Sequence, residues 1–368
     1  MNIKCVTVIG LGLIGGSITK ALREKCGIHK IIGIDTDDST LQYAVNEGTI
    51  SLGFKDVVPE IHESDIIFIC VPVNNTLEWI QKVIPLIHSE CIITDVGSTK
   101  SNLISQLNKW PDVFHFVGGH PMAGSEKSGY SASKSHLFEN AYYILTPCDK
   151  STTQNIEVLT ALIESFGSIP IQIPARLHDE ITGAISHVPH IISAALVNMV
   201  KTLDAPEQYM YKLAAGGFKD ITRISSSTPE MWHSICFNNQ SAILEILDIY
   251  LHILSTYRSY IDSQNSSEIL NFFASAKEFR DSFTSKATGL IPGTFELALD
   301  VVDKPGIVGE VATVLGKSNI NIKNINISNS REYEGGVLII SLPDRESMDK
   351  SYRILIEHAY NVIKRQEG

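Results

Sequence analysis

The feature that most constrains the fold is a glycine-rich segment at 10–15, which separates a short apolar run from a helical pattern. The residues at 6–9 are apolar and β-branched, whereas those at 14–25 repeat with the period of an amphipathic helix. The spacing G-x-G-x-x-G between a strand and a helix is the dinucleotide-binding fingerprint of a parallel α/β sheet. It predicts that the N-terminal part of the chain is a Rossmann domain.

Each glycine of this segment has a physical role. Gly10 allows the tight turn, and Gly12 lets a pyrophosphate approach the backbone closely. Gly15 lets the helix pack against the strand. The alternative, a glycine turn with no nucleotide, leaves this spacing without a purpose.

The identity of the nucleotide is predicted by Asp35, which ends the next strand about 20 residues on. Its carboxylate can accept hydrogen bonds from the ribose hydroxyls of NAD and would repel the 2′-phosphate of NADP. The backbone N–H groups of Leu13 and Ile14, in the first helical turn, can bind phosphate. With Val71 and Pro72 after a later strand, these residues form the predicted NAD-binding set.

Short apolar runs alternate with helical stretches across the first part of the chain. We predict strands at 6–9, 30–34, 66–71, 92–95, 116–118, 141–146 and 168–172, with helices at 14–25 and 76–87. Buried apolar strands that alternate with helices indicate a doubly wound parallel sheet. The predicted α/β domain spans 1–173.

The pattern changes over 174–288, where apolar residues recur at helical spacing. The stretch 243–254 is apolar almost all round, and such a helix needs cover on every side. We therefore predict an all-α dimerisation and substrate domain, and a homodimer. The alternative is a helix buried within one monomer.

A Ser/Thr/Gly/Pro-rich linker at 282–293 precedes a third domain at 294–368. We predict strands at 294–302, 320–328, 335–342 and 360–364, a turn at 331–334, and helices at 307–317 and 344–358. This βαββαβ order indicates a small α+β domain.

Composition excludes several classes of function. The chain has 368 residues, with 30 Lys and Arg against 41 Asp and Glu, for a net charge of −11. Nucleic-acid binding needs a basic face, so we expect no nucleic-acid partner. The longest apolar runs are far shorter than the roughly 20 residues that span a membrane, so we expect no membrane association. The six cysteines are scattered, which favours a reduced, cytoplasmic protein.

Three further regions are rich in polar residues where a core would not place them: 95–100, 118–129, and the helical stretches 178–190 and 216–223. The first two follow predicted strands, so they fall at the carboxyl edge of the sheet, where ligands bind. We predict the active site there.

The third region contains His187 and His190, which share a helix face, with Pro189 favouring a kink between them. With His178 they could be zinc ligands. However, no Cys or carboxylate lies at ligand spacing, and we expect no metal. The plainer alternative is that one or both histidines are structural.

Taken together, these segments resemble the prephenate/arogenate dehydrogenase family of tyrosine biosynthesis over roughly residues 1–285. The matching motifs, in family order, are G-L-G-L-I-G-G-S at 10–17, D-V-G-S-T-K at 95–100, G-G-H-P-M-A-G-S-E-K-S-G at 118–129, H-D-E at 178–180, S-H-V-P-H at 186–190 and G-G-F-K-D-I-T-R-I at 216–224. The third domain, with D-K-P-G at 303–306 and I-N-I at 320–322, resembles an ACT domain, a regulatory amino-acid-binding module.

The resemblance implies specific roles for residues of this chain. His120 matches the catalytic histidine, and Ser98 matches the serine that hydrogen-bonds it and the substrate hydroxyl. The implied substrate-binding and gating residues are Arg223, Lys219, His187, His190, Trp232 and Glu126. The structural alternatives are surface ion pairs for Arg223 and Lys219, a solvated loop charge for Glu126 and a core position for Trp232.

The implied reaction is NAD-dependent oxidative decarboxylation of prephenate to 4-hydroxyphenylpyruvate. A neutral imidazole near its ordinary pKa of about 6.5 would suit His120 as the base. A close alternative is arogenate dehydrogenase. More distant ones are another hydroxyacid dehydrogenase, which would place a catalytic Lys where this chain has histidines, and an NAD-sensing regulator.

The third domain is expected to bind an effector. Asp303, Pro305 and Gly306 precede a helix whose free N–H groups can hold a carboxylate, and Asn321 lies nearby in the sequence. We predict that L-tyrosine, the end product implied by the resemblance, binds there and inhibits. The alternative is a module that only adds dimer contacts.

Overall fold

The computed structural model describes residues 3–124, 127–204, 206, 208–285, 295–302, 304–328 and 335–365. The chain divides into two compact units, Met1–Leu254 and Ser255–Gly368. The three-domain division at 1–173, 174–288 and 294–368 stays a prediction.

The first unit is built around one sheet with the order β3-β2-β1-β4-β5-β6-β7-β8. Its strands are β1 Cys5–Ile9, β2 Lys30–Ile34, β3 Leu52–Phe54, β4 Ile66–Ile69, β5 Ile92–Asp95, β6 His115–Pro121, β7 Tyr142–Thr146 and β8 Ile169–Gln172. The helices that connect them are α1 Leu13–Glu24, α2 Asp38–Asn46, α3 Val73–Val83, α4 Ser101–Leu107 and α5 Thr153–Ser165.

The sheet confirms the α/β class but is not parallel throughout. Strands β1 to β6 pair in parallel, whereas β7 runs antiparallel to β6, and β8 is parallel to β7. A parallel crossover needs a helix or a similarly long connection. The described part of the connection from β6 to β7 carries only a 3₁₀ turn, Tyr130–Ala132, and the chain reverses direction there.

The core of this unit lies on both faces of the sheet. On one face, α1 and α5 cover Val6, Val8 and Phe68. On the other face, α3 and α4 cover Ile67 and Phe116. All five of these side chains are buried completely, so the strands are fixed from both sides and their carboxyl ends form a rigid platform.

A helical layer follows β8. Its helices are α6 Ala175–Thr182, α7 Val188–Leu203, α8 Tyr209–Leu213, α9 Gly216–Thr222, α10 Pro229–Asn238 and α11 Gln240–Asp262. A π-helical turn, Gly183–His187, joins α6 to α7. The kink expected at Pro189 therefore lies one turn earlier, at Gly183–His187. Pro189 has no backbone N–H to donate to a carbonyl of that turn, so the regular α-helical hydrogen bonds are interrupted there.

The continuous helix Ala175–Leu203 is long and apolar enough to cross a membrane by length and composition, with a hydropathy of 1.3. Such a helix is weak evidence for a membrane span, because core and interface helices meet the same criteria. This one also buries Asp179 and two histidines, His178 and His187, against neighbouring protein groups.

The second unit holds α12 Ser266–Ser285 and an antiparallel sheet with the order β10-β11-β9-β12. The strands are β9 Phe295–Val302, β10 Asn324–Ser328, β11 Gly335–Leu342 and β12 Asn361–Arg365, with helices α13 Ile307–Lys317 and α14 Arg345–Glu357. The predicted βαββαβ order is confirmed. The predicted turn at 331–334 lies outside the described residues.

Candidate active site

The glycine-rich turn has the close contacts that its sequence predicted. Gly10 has a φ of +91°, and a Cβ there would lie 2.5 Å from the carbonyl oxygen of Cys70. A Cβ on Gly15 would lie 1.8 Å from the carbonyl oxygen of Gly10. Both positions therefore require glycine, because the start of α1 touches the ends of β1 and β4.

The space in front of α1 suits a dinucleotide. A Cβ on Gly12 would meet nothing within 4 Å, so open space faces the helix N-terminus formed by Leu13 and Ile14. The Asp35 carboxylate accepts hydrogen bonds from the backbone N–H of Leu11 at 2.7 Å and of Asp37 at 2.9 Å. These bonds fix Asp35 at the end of β2, and each oxygen keeps a lone pair for a hydroxyl donor.

The strand order supports the same location. The chain moves outward from β1 to β2 and β3 and then crosses to β4 on the other side of β1, which makes a topological switch point between β1 and β4. Val71 and Pro72 follow β4 directly, at this edge. Ligands of open α/β sheets bind in the crevice at such a point.

His120 lies near the end of β6 and is partly accessible to solvent. Its Nδ1 is 2.8 Å from Nε2 of His178, and Nδ1 of His178 is 2.8 Å from Oδ1 of Asp179. His178 is completely buried and Asp179 is 3% exposed. The three side chains thus form a hydrogen-bonded chain from the sheet edge into the helical layer.

Asp179 also anchors the loop after β5. It accepts hydrogen bonds from the backbone N–H groups of Lys100 and Ser101, each at 2.8 Å. Burial opposes ionisation, but the bonds from His178, Ser101 and Lys100 outweigh it and lower the pKa of Asp179. Asp179 is therefore a carboxylate at neutral pH.

The same loop is held by a buried ion pair between Lys100 and Asp95. Lys100 Nζ is 2.6 Å from Asp95 Oδ2, and neither side chain reaches solvent to more than 1%. The Asp95 carboxylate also accepts the backbone N–H of Gly97 and of Gly119. One carboxylate therefore joins the loop after β5, which carries Ser98, to β6 next to His120.

The electrostatics of His120 differ from the prediction. Burial of much of the imidazole is the main cause that lowers the pKa of His120 well below 6.5, and the nearby His178, Lys100 and His187 lower it further. The expected pKa near the ordinary value is therefore corrected downward. The imidazole is nevertheless neutral at pH 7, the form that a base needs.

The other two predicted histidines, His187 and His190, lie on the π-helical turn and on α7. His187 is buried, its Nδ1 lies 2.9 Å from the side-chain amide of Asn239, and burial lowers its pKa to about 4. His190 stacks on Trp232 with ring centroids 3.9 Å apart. The indole N–H of Trp232 is buried without a hydrogen-bond partner among the described residues.

Ser98 does not behave as the resemblance implied. It is half-buried on the loop after β5, but within the described residues it makes no hydrogen bond to His120. The Nδ1 atom of His120 bonds His178 instead, since α6 brings that ring within reach.

The cationic residues lie on a neighbouring element. Lys219 lies on α9, Arg223 is the first residue after that helix, and both side chains are exposed. The hydroxyl of Ser193 on α7 bonds the carbonyl of Ile221 and the hydroxyl of Ser225, which ties α9 to the helix that carries His190. Glu126 lies outside the described residues.

The predicted effector residues are in the second unit, where Asp303 lies outside the described residues. Pro305 and Gly306 are exposed at the start of α13, and Gly306 has the left-handed φ of +95°. Asn321 follows the other end of α13, an eleven-residue helix about 16 Å long. A site shared by these residues stays a prediction.

Sequence reasoning missed the role of His178 and Asp179. The H-D-E motif at 178–180 was recognised, but His178 was considered only as a zinc ligand. Among the described residues, no group of three or more His, Cys, Asp or Glu side chains could hold a metal. The signal available in the sequence was the adjacency of two polar residues, His178 and Asp179, on the buried side of α6.

Family models match nearly all of the described chain. The model described as the prephenate dehydrogenase nucleotide-binding domain matches residues 18–171. The prephenate dehydrogenase dimerization domain matches 174–275, and the ACT domain matches 295–357.

Individual relatives agree with these matches. Prephenate dehydrogenase of Bacillus subtilis is 38% identical over 91% of this chain and 91% of its own length. A crystal structure of prephenate dehydrogenase from A. aeolicus, in complex with hydroxyphenyl propionate and NAD+, covers 77% of this chain and 99% of its own, with a TM-score of 0.73 and 30% identity. The Synechocystis arogenate dehydrogenase structure covers 76% and 99%, with a TM-score of 0.67 and 30% identity.

Proposed function

Because the chain belongs to the prephenate dehydrogenase family, we propose that it oxidises and decarboxylates prephenate to 4-hydroxyphenylpyruvate with NAD. The observation that carries the proposal is the neutral imidazole of His120 near the end of β6, on the sheet that also carries the glycine-rich turn. The A. aeolicus relative crystallised with NAD+ and a hydroxyphenyl compound supports the same choice of ligands.

In this mechanism the chain supplies binding, orientation and a base. His120 Nε2 accepts the proton of the 4-hydroxyl as C4 becomes a carbonyl carbon. Bound NAD would supply the acceptor for the hydride that leaves C4. The ring then loses CO₂ and becomes aromatic, the oxygen recovers a proton, and the reaction is effectively irreversible. A base of this kind contributes roughly 10²–10⁴ in rate.

Substrate binding must overcome the charge of the chain. Prephenate is a dianion, whereas the chain has a net charge of −11. We assign its carboxylates to Arg223 and Lys219, since a guanidinium binds a carboxylate with two parallel hydrogen bonds. The buried N–H of Trp232 and the imidazole of His190 supply further polar contacts for the substrate. Ser98 is assigned to the 4-oxygen of bound substrate, and Glu126 is assigned the gating role that the resemblance implies.

The cofactor assignment to NAD rests on Asp35. Its carboxylate is held in place by two backbone donors, so it cannot turn away from a 2′-phosphate. NADP should therefore bind more weakly than NAD.

A second candidate substrate is arogenate, since a structure of an arogenate dehydrogenase is as similar in sequence as that of the prephenate enzyme. The two substrates differ in an amino group against a keto group on the side chain. A paired assay with both substrates and both cofactors tests the proposal. We expect the highest kcat/KM with prephenate and NAD, and no NADH formation from either substrate would contradict the whole assignment.

We further propose a homodimer in the cytoplasm that is inhibited by L-tyrosine through the second unit. The dimerization-domain match supports the dimer, and six free cysteines favour a reducing compartment. The start of α13, with Pro305 and Gly306, can hold the tyrosine carboxylate, and we assign Asn321 to the same effector site. Deletion of 294–368 should abolish inhibition, and equal inhibition after deletion would place the inhibitor elsewhere.

A further inference from the structure

We propose that His178 is a positioning residue that fixes His120 in its Nδ1–H tautomer, which leaves Nε2 as the proton acceptor. The proposal rests on the proposed function only in taking His120 as the base. The evidence is the chain of three side chains, His120, His178 and Asp179, joined by two contacts of 2.8 Å.

The donors and acceptors in this chain allow one arrangement. The oxygens of Asp179 already accept two backbone N–H groups, and a carboxylate has no proton to give. His178 must therefore donate from Nδ1, so its Nε2 carries a lone pair. His120 must then donate from its own Nδ1. In the described part of the chain nothing hydrogen-bonds Nε2 of His120.

The surrounding charges keep this arrangement stable near neutral pH. Burial is the main cause that keeps His120 neutral, and the groups that face it, His178 on α6, Lys100 after β5 and His187 on the π turn, lower its pKa further. His178 faces Asp179, Lys100 and Asp95, and its pKa is lowered, mainly because it is buried. Both rings are thus neutral before the reaction.

The arrangement also serves the step in which His120 takes the hydroxyl proton. The imidazolium that forms keeps its Nδ1–H on His178, and the charge faces the carboxylate of Asp179 across one ring. A base without this partner would spend part of its time with a proton on Nε2, where it could not accept another. The hydrogen bonds that join His120, His178 and Asp179 therefore contribute to kcat more than to KM.

The direct test is the tautomer itself, measured by ¹⁵N NMR on protein with labelled histidine and without substrate. The His120 signals are identified as those lost in His120→Asn. We expect a protonated Nδ1 and an unprotonated Nε2 in the wild type, and a shift of the proton towards Nε2 in His178→Leu. A wild-type Nε2–H tautomer, or an unchanged tautomer in His178→Leu, would overturn the proposal.

Kinetics give a second test that separates positioning from packing. His178→Leu should lower kcat by about 10-fold, less than the roughly 100-fold expected for loss of the base itself, whereas His178→Gln, which keeps an acceptor for His120 Nδ1, should recover much of it. The control is Thr182→Val, since the Thr182 hydroxyl bonds only backbone carbonyls of His178 and Asp179. Equal losses in His178→Leu and Thr182→Val, or no rescue by glutamine, would contradict positioning.

The two proposals fail in different ways. If the wild type does not turn over prephenate, the proposed function is wrong, but the tautomer of His120 can still be measured. If prephenate is turned over and the tautomer is the opposite one, only the role of His178 is wrong.

Discussion

A buried ion pair and its hydrogen bonds hold the loop after β5 in place at this site. Lys100 and Asp95 form an ion pair without access to solvent, and the Asp95 carboxylate also accepts two backbone N–H groups. Removing one partner of such a pair leaves an uncompensated buried charge. Loss of either partner should therefore lower the free energy of unfolding.

We predict that Lys100→Met lowers the free energy of unfolding by about 3–5 kcal/mol, measured by urea denaturation. The matched control is Lys55→Met, which removes an exposed pair with Asp38 and should cost less than about 1 kcal/mol. A similar small effect for both variants would show that the buried pair is not required for folding.

Buried histidines should make the protein sensitive to acid. The pKa of His187 is about 4 in the folded chain and about 6.5 in an unfolded chain. Above pH ~6.5 both states are neutral and His187 contributes no pH dependence. Below it the unfolded state binds the proton first, so stability falls until the pH reaches about 4.

His187→Gln should therefore flatten the decline in unfolding free energy between about pH 6.5 and pH 4.5, by an amount on the order of 2–3 kcal/mol. Urea midpoints measured across that range provide the comparison. The exposed His62→Gln variant is the control and should follow the wild type. Identical curves for His187→Gln and the wild type would mean that His187 is not buried as a neutral ring.

For single residues, the sequence predicted which side chains take part in the chemistry better than it predicted which residues they hydrogen-bond. His120 and the glycines were recognised because a motif specifies them. The bond between His120 and His178 could not be predicted, because it joins residues 58 positions apart whose approach depends on how α6 packs on the sheet. The same packing explains why His120 bonds His178 rather than Ser98.

At the scale of elements, the boundary between strand β1 and helix α1 determines the nucleotide site. Gly12 faces open space, whereas Gly15 touches the carbonyl of Gly10. The two glycines therefore serve different purposes, one for the ligand and one for the fold, although the motif makes them look equivalent.

Alanine substitutions should separate these purposes. Gly12→Ala should keep the thermal stability of the wild type but weaken NAD binding about 10-fold or more, a loss of roughly 1.4 kcal/mol. Gly15→Ala should destabilise the domain, because its Cβ would overlap a backbone oxygen. Calorimetric titration with NAD and thermal melts measure both, and wild-type NAD affinity in Gly12→Ala would contradict the predicted cofactor site.

Most strands of the first sheet could be predicted from apolar runs, and β2 and β5 have the predicted bounds, whereas α2, α4 and α5 were not predicted. Strand β3 was missed because it has only three residues and its Leu52 is exposed. The reversal of β7 could not be predicted either, because strand direction depends on the route of the connecting loop and leaves no trace in the alternation.

At the scale of the whole molecule, the helical layer has an uncovered apolar surface. Large apolar side chains of α11 are exposed within Met1–Leu254: Leu244, Ile249, Leu251, Ile253 and Leu254. Exposed apolar side chains around most of a helix are typical of an interface helix, and the family's dimerization domain includes this helix. The sequence predicted this surface from a helix that is apolar all round.

If the proposed dimer forms through α11, the double substitution Ile249→Glu and Leu251→Glu should convert it to a monomer, since it would bury charges in the interface. Size-exclusion chromatography with light scattering measures the mass. Val113→Glu, at an exposed position before β6, is the control and should remain dimeric. A dimeric double variant would exclude these two positions of α11 from the interface.

The most direct test of the central claim is the turnover of prephenate by His120→Asn, at saturating NAD and with NAD affinity measured on the same sample. We predict that kcat falls by roughly 100-fold or more while NAD affinity stays within about 3-fold of the wild type. A folded variant that binds NAD and loses less than about 10-fold in kcat would show that His120 is not the base.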